Sequence, residues 1–300
     1  MIRTPLLLPL ILLCPLAAQA QETWDLRAAS EEQNAVGDKV THVESEQQDM
    51  TLVIRQGQDE VQREQQVQGF EQRYVEELLA VDEEGEVTSA RRTYTVFTDK
   101  QTKQTLEGGE LVVTWTREAS GTRKVDYPQD RALPDALKEK LEHLAAGEPE
   151  EESEGPKPEQ NPGKLFTPAE PVAVGATWPV DPKQAMVGMG IDEALDAEGS
   201  SCTGTLVAAT AEGEVTWLDV KVTMTLRLTT LEGVQCTEPF VFALTMDLRL
   251  PAGGGNVGNV VMNGTMKGAL APPDAPPGVT FSIDMTMTGD LRRTPATETE

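Results

Sequence analysis

The chain has few of the residues that most catalytic and nucleic-acid-binding sites need. It contains two histidines, three cysteines and 4% aromatic residues in a total of 300 residues. It has 25 Lys and Arg against 50 Asp and Glu, which gives a formal net charge of −25. Phosphate binding requires clustered basic side chains, so this balance argues against a nucleic-acid partner. The presence of two histidines also argues against a His-based catalytic triad or a His-rich metal site.

Sequence motifs of common catalytic and cofactor sites are missing as well. The sequence has no G-x-S-x-G, H-E-x-x-H or Walker A motif. Residues 82–86 offer carboxylates but lack the alternating spacing of an EF-hand loop. We interpret His42 and His143 as surface or capping residues. We therefore predict no metal, no cofactor and no enzymatic activity, with a secreted hydrolase that uses carboxylates as the less favoured reading.

Residues 1–20 have the features of a secretory signal peptide. Arg3 provides the positive start, residues 6–13 are apolar apart from Pro9, and residues 18–20 read Ala-Gln-Ala, a small-x-small cleavage site. This apolar run is too short to cross a bilayer, and no later stretch is apolar enough to be a transmembrane segment. Cleavage after Ala20 predicts a secreted or periplasmic protein of 300 − 20 = 280 residues.

The cysteines fit an oxidising compartment. Cys14 lies within the predicted signal peptide, which leaves the pair Cys202 and Cys236. A bridge between them would close a loop of 236 − 202 = 34 residues, which the chain-entropy model values at about 3–4 kcal/mol. We expect this disulfide, and the competing reading is two buried free thiols.

A proline-rich acidic segment divides the mature chain. Residues 145–171 hold six prolines and an acidic run with almost no apolar residues, so they cannot bury enough surface to offset their ordering entropy. We predict a linker there, with a calcium-binding acidic tail as the alternative. The expected organisation is a first β-rich half with a C-terminal helix over residues 21–144, the linker, a second β-rich half over residues 172–295, and a disordered tail over residues 296–300.

Strict alternation of apolar and polar residues is clearest in the second half. Residues 240–250, 222–229 and 281–288 each place large apolar side chains at every second position. A period of two indicates strands of an antiparallel sheet with one buried face. The predicted fold class is therefore mainly β (α+β): two antiparallel β-rich halves with one or two short helices, arranged as a curved sheet or half-barrel.

The first half has weaker strand signals. The predicted strands are Val40–Val43, Thr51–Arg55, Phe70–Val81, Val87–Thr98, Glu110–Thr116 and Lys124–Tyr127. Helices are expected over Pro134–Ala145 and Pro182–Met189. Residues 78–88 match residues 206–216 at seven of eleven positions, and each segment reads as two strands around a glycine turn. This match indicates either an internal repeat or chance convergence on a common hairpin sequence.

Methionine is concentrated in the second half. Six of the methionines fall in predicted strands, mostly at apolar-face positions: Met224, Met246, Met262, Met266, Met285 and Met287. Methionine is flexible and polarisable, so a sheet face lined with it can adapt to irregular apolar shapes. These six residues are the candidate ligand-binding set. The alternative is that they fill gaps in a core that has few aromatic residues.

The second half opens with Val172-Ala-Val174-Gly175-Ala-Thr-Trp178. This V-x-V-G-x-x-W motif, placed after a signal peptide, a β half and a proline-rich stretch, resembles a family of uncharacterised secreted bacterial β-rich proteins. The resemblance implies no activity. More loosely, a curved sheet with a helix beside it resembles the half-barrels of periplasmic lipoprotein carriers. We expect a protein that binds an apolar ligand or an envelope partner. The alternative is a structural component of the cell envelope without a small ligand.

Overall fold

The computed structural model describes residues 22–30, 33–83, 85–118, 122–128, 130–146, 165–189, 191, 193–231, 233–255 and 258–296. The predicted signal peptide, most of the acidic linker and the last four residues lie outside these ranges. The described chain is mainly antiparallel β-structure with short helices, which confirms the predicted fold class. Within these ranges, none of the helices combines the length and apolar character needed to cross a bilayer.

The elements follow one another in chain order and are labelled here by that order. They are β1 (Thr23–Trp24), α1 (Leu26–Ala29), β2 (Lys39–Gln56), β3 (Asp59–Val81), β4 (Val87–Asp99), β5 (Leu111–Arg117), β6 (Arg123–Asp126), α2 (Asp135–Ala146), β7 (Val172–Ala173), β8 (Thr177–Pro179), α3 (Pro182–Gly188), β9 (Ser201–Glu212), β10 (Val215–Leu231), β11 (Val234–Pro251), β12 (Gly258–Leu270) and β13 (Val279–Pro295). The helix expected over Pro134–Ala145 is confirmed as α2, and the one expected over Pro182–Met189 as α3.

One large antiparallel sheet unites the two halves of the described chain. Eleven strands are ordered β6-β5-β4-β3-β2-β13-β12-β11-β10-β9-β8, and β1 pairs separately with β7. The seam between the halves is β2 against β13, which are paired from Gln56–Val279 to Val40–Pro295. The sequence left open whether the halves share a sheet, and the long-range pairing of β13 with β2 answers that question.

One face of this sheet, here called the inner face, carries the helices. On the side of α3, strands β8 to β11 pack aliphatic and methionine side chains against Ala185 and Met186; we call this the α3-side cluster. On the side of α2, strands β3 to β5 pack aromatic and aliphatic side chains against Leu137 and Leu141; we call this the α2-side cluster. The strands that lie between the two clusters, β12, β13 and β2, are covered by neither α2 nor α3.

The V-x-V-G-x-x-W segment has a packing role at the edge of the sheet. The indole of Trp178 lies directly against Gly204 of β9, where an added Cβ would come within 2.3 Å of the ring. The indole Nε1 donates a hydrogen bond to the carbonyl of Phe166 at 2.8 Å. Trp178 is buried, packs against Gly204 and has a hydrogen-bond partner, so it holds β8 against β9.

Strands β2 and β3 are longer than the sequence indicated. The predicted strands Val40–Val43 and Thr51–Arg55 are parts of one strand, β2, and β3 begins at Asp59 rather than Phe70. The parts of β2 and β3 that lie outside the predicted strands are mostly polar, and their strand propensity gave no reason to place them in a sheet. They hold the strand conformation because they bond across strands: the hydroxyl of Tyr74 and the amide of Gln72 both donate to Glu44.

Gly69 permits the long β3 strand to stay paired with β2. Its φ is +130°, and an added Cβ would lie 2.2 Å from the carbonyl oxygen of Glu46. Any other residue would clash with the backbone of β2 in this conformation. From Asp59 to Gln68, β3 pairs with β2 alone in the described sheet. That free edge is dense in charged and amide side chains, which discourage pairing with another chain.

The expected disulfide is not formed in the structure, where both cysteines are free thiols. Cys202 lies opposite Met224, which lies opposite Leu244 on β11. Cys236 is also on β11, 244 − 236 = 8 residues away from Leu244. Eight strand residues span roughly 25 Å, whereas a disulfide needs Cα atoms within about 7 Å. The two cysteines are two strands apart and at different levels of the sheet.

Candidate apolar groove on the inner face

The six methionines predicted as a ligand-binding set occupy two different environments. Met224 and Met246 are sealed in the α3-side cluster, with 1% and 6% of their surfaces exposed. Met262 is 37% exposed, and Met266, Met285 and Met287 are half-buried. These two residues are part of the hydrophobic core. The other four line an open groove.

The groove has a volume of about 420 Å³ and lies where the inner face is left uncovered by α2 and α3. Its floor lies on three successive rows of residues that pair across β11, β12, β13 and β2, and all members of these rows except Met50, Gly264 and Met246 line the groove. These rows are Phe242–Met266–Met285–Met50, Leu244–Gly264–Met287–Gln48 and Met246–Met262–Gly289–Glu46. The strand register therefore brings residues from both halves of the chain to one site.

Two glycines lower the floor so that methionine side chains can lie across it. A Cβ added at Gly264 would come within 2.7 Å of Cγ of Met287, and one added at Gly289 would come within 2.9 Å of Cε of Met262. Both glycines are buried beneath these side chains. Large and small residues thus alternate along the floor, and the flexible thioethers form the surface that a ligand would meet.

The segment after α3 forms one wall of the groove. Met189, Ile191 and Glu193 line this wall together with Leu228 and Leu231 at the end of β10. Backbone hydrogen bonds fasten the segment to β10 just beyond it: Thr229 donates to the carbonyl of Ala194, and Asp196 donates to the carbonyl of Arg227, each at 2.8 Å. The wall is therefore attached to the sheet at its C-terminal end.

The polar groups of the groove lie at its margins. Glu46 and Gln48 extend from β2, and Oε1 of Glu46 accepts a hydrogen bond from Nε2 of Gln48 at 2.9 Å. On the opposite wall, Oε2 of Glu193 accepts from the hydroxyl of Thr230 at 2.7 Å. The remaining lining is mostly Met, Leu, Ile and Phe. An apolar interior with few polar groups at its ends is typical of a site for an amphiphilic molecule.

A buried polar network lies beside the groove on the same face. His42 is 5% exposed and stacks on Tyr74, with ring centroids 4.5 Å apart and planes 7° from parallel. The Nε2 of His42 is 3.6 Å from Oε2 of Glu76. The other carboxylate oxygen of Glu76, Oε1, accepts a hydrogen bond from Nε of Arg92 at 2.7 Å. Burial lowers the pKa of His42 to about 4, against the opposing effect of Glu76. His42 is therefore neutral at pH 7.

The interpretation of His42 as a surface or capping residue was wrong. It occupies an inner-face position of β2, opposite Tyr74 on β3 and Arg293 on β13. Its alternation with Glu44, Glu46 and Gln48 could have indicated a polar stripe on that face, but the sequence does not show which face is covered. The other histidine, His143, has 80% of its side chain exposed, which confirms the surface reading.

The described residues contain no group of three or more His, Cys, Asp or Glu side chains that could hold a metal ion. The small cavity beside His42 is about 120 Å³ and is lined partly by Glu76, Arg92 and Arg293. The charge of Glu76 is matched by Arg92, whereas the buried Nδ1 of His42 has no hydrogen-bond partner among the described residues. The groove is the larger and more open of the two cavities.

Comparisons with known proteins add little to this geometry. No family model and no curated protein matches the chain. Among solved structures, the OmpF complex with daunomycin from Salmonella typhi is 6% identical, and the match covers 86% of this chain and 98% of that chain with a TM-score of 0.18. A likeness this weak carries no argument. The fold and the site by themselves define a large-sheet protein with an apolar groove on one face.

Proposed function

We propose that the protein is a non-enzymatic extracytoplasmic binding protein whose groove holds an apolar or lipid-like ligand. The observation that carries this proposal is the difference between methionines on one face of one sheet. Those of β10 and β11 are sealed, whereas those of β12 and β13 remain open in the groove. Its volume of about 420 Å³ falls within the usual range for small-molecule sites.

The proposed location outside the cytoplasm rests on the signal-like residues 1–20. The test is the N-terminus of the protein isolated from cells that export it, measured by intact mass. The expected mature chain starts at Gln21. A chain that keeps residues 1–20 after purification from the cell interior would contradict this part of the proposal.

Binding is tested with a neutral apolar dye, N-phenyl-1-naphthylamine, whose fluorescence rises on transfer out of water. We expect saturable binding at a single site. Met285→Asp places an unpaired charge on the groove floor and should weaken binding by about tenfold or more. The matched control is Thr286→Asp, the next residue of β13 on the opposite, exposed face, which should leave affinity within about twofold.

Peroxide oxidation provides a second readout with internal controls. Mild treatment followed by peptide mass spectrometry should oxidise Met262, Met266, Met285 and Met287 well before Met224 and Met246. Bound dye or dodecyl maltoside should protect the first group. Uniformly slow oxidation, or saturable binding that Met285→Asp leaves intact, would contradict the proposal. Either result would favour a structural envelope component without a small ligand.

A further inference from the structure

We infer that the groove selects amphiphiles that carry a cationic head group over anionic ones with the same tail. This inference rests on the proposed function and adds the class of ligand. The charged side chains that line the groove are both carboxylates, Glu46 on β2 and Glu193 on the wall after α3. No Lys or Arg is among its lining residues.

The two carboxylates face the groove from opposite sides. The row Leu244–Gly264–Met287–Gln48 joins β11 to β2, and Thr230, the partner of Glu193, lies on β10. From β10 to β2 there are four strand spacings, roughly 19 Å. Glu46 is level with Val222 of β10, and Thr230 lies 230 − 222 = 8 residues further along that strand. The two carboxylates therefore lie at diagonally opposite margins of the groove, and either margin can hold a cationic group while the tail covers the methionines.

Both carboxylates are half-buried, so solvent screens them less than fully exposed groups. Each accepts a hydrogen bond from a neutral side chain, Gln48 for Glu46 and Thr230 for Glu193. These bonds orient the carboxylates without removing their charge. The net charge of −25 over the whole chain acts in the same direction at longer range, since it disfavours the approach of anionic molecules.

Lys140 of α2 is a basic group that interacts electrostatically with Glu46. Its ammonium lies 3.2 Å from the ring centroid of Phe70, which pairs with Glu46 across β2 and β3. Burial lowers the pKa of Lys140, while Glu44 and Glu46 act in the opposite direction. Lys140 does not line the groove, and one ammonium beside Glu44 and Glu46 leaves the margin acidic.

The test compares three probes with the same twelve-carbon tail below their micelle concentrations: dodecyltrimethylammonium, dodecyl maltoside and dodecanoate. Dissociation constants are measured by displacement of N-phenyl-1-naphthylamine at low and at physiological ionic strength. The expected order is the ammonium, then the maltoside, then dodecanoate. We expect about tenfold or more between the two charged probes at low salt, and a smaller ratio at physiological salt.

The variants E46Q, E193Q and their combination keep the hydrogen-bond acceptors while removing the charges. The double variant should bring the ammonium-to-dodecanoate ratio close to one. The matched control is D49N, which removes a charge from the exposed outer face of β2, three residues from Glu46, and should leave the ratio nearly unchanged. An equal effect of D49N and E46Q would overturn the inference, because overall charge would then explain the selectivity.

The two proposals fail in different ways. If dodecyl maltoside binds in the groove and all three probes bind equally, the binding function stands and the preference for a cation is refuted. If none of the probes displaces the dye or protects the groove methionines from peroxide, both proposals fail together.

Discussion

The α3-side and α2-side clusters lie on the same face of the same sheet but are built from different side chains. The α3-side cluster is mainly aliphatic and sulfur-rich, with buried Leu, Val and Met at every second position of β10, and its aromatic members include Phe240 and Phe242 of β11. The α2-side cluster uses Tyr74, Tyr94 and Phe97, and it borders the buried network of His42 and Glu76.

The difference shows what each kind of side chain allows on a partly covered sheet. Flexible apolar groups can remain half-exposed at modest cost, so the cover over the α3 side can stop short and leave a groove. Most buried polar groups are paired in folded proteins, and the α2 side is closed by hydrogen bonds to Glu44 and Glu76 and by stacked rings. The groove forms at the boundary between the two.

The largest expected effect tests whether the two clusters unfold together. Phe240→Ala removes a fully buried ring of the α3-side cluster and should lower the free energy of unfolding by about 3–5 kcal/mol. Leu137→Ala removes a fully buried side chain of the α2-side cluster and should cost about 2–5 kcal/mol. Because one sheet joins the clusters, urea titrations followed by tryptophan fluorescence should show one transition, shifted in each variant.

The control for this pair is Val241→Ala, the exposed neighbour of Phe240 on β11. It should change stability by less than about 0.5 kcal/mol. Two separate transitions, with Phe240→Ala moving one of them alone, would show that the clusters are independent units and that the seam between β2 and β13 does not couple them.

A second prediction concerns the α2 side and pH. The pKa of His42 is about 4 in the folded protein against 6.5 when unfolded. Between these values the unfolded chain binds a proton that the folded chain does not, so stability falls as the pH is lowered from about 6.5 to 4. The loss should amount to roughly 3 kcal/mol and be complete below pH 4. Above pH 7 it is absent.

The measurement is urea denaturation from pH 4 to pH 7.5 for the wild type and for His42→Gln. The stability difference between them should rise with pH through this window and then become constant. His143→Gln, at an exposed position of α2, is the control and should follow the wild type. Parallel pH curves for wild type and His42→Gln would refute the assignment of a buried neutral histidine.

The smallest effect concerns the cysteines, both on the α3 side. Burial raises the pKa of the Cys202 thiol to about 11, and it also raises the pKa of Cys236, which is less buried. Thiol titration of the folded protein at pH 8 should therefore be slow at Cys236 and negligible at Cys202 until urea unfolds the chain. Treatment with a reductant should change neither mass nor stability. A mass gain of two hydrogens on reduction would instead support the disulfide.

Much of the α3 side could be predicted from the sequence because its pattern is local. The alternation in β10, β11 and β13 identified the strands and the inward-facing residues, and four of the six chosen methionines line the groove. The register could not be predicted, because it depends on pairing between residues more than two hundred positions apart. The division between sealed and open methionines follows from that register and from where α3 ends.

The α2 side was harder to predict because its inner face is partly polar. The middle of β2 reads as Glu, Ser and Gln, which have low strand propensity, and tertiary pairing overrides that propensity. The burial of His42 depends on Tyr74, Glu76 and Arg293, which come from two other strands. The low number of histidines argued against a His-based catalytic or metal site, but composition could not show that His42 is buried.

The pairing of β2 with β13 has a consequence for how the molecule is made. The residues that meet there are separated by 223 positions at one end and 255 at the other, from Gln56–Val279 to Val40–Pro295. Until β13 has emerged from the ribosome, one edge of β2 has no partner. Assembly must therefore end with the arrival of β13, and the unfinished intermediate would be the species most dependent on a chaperone.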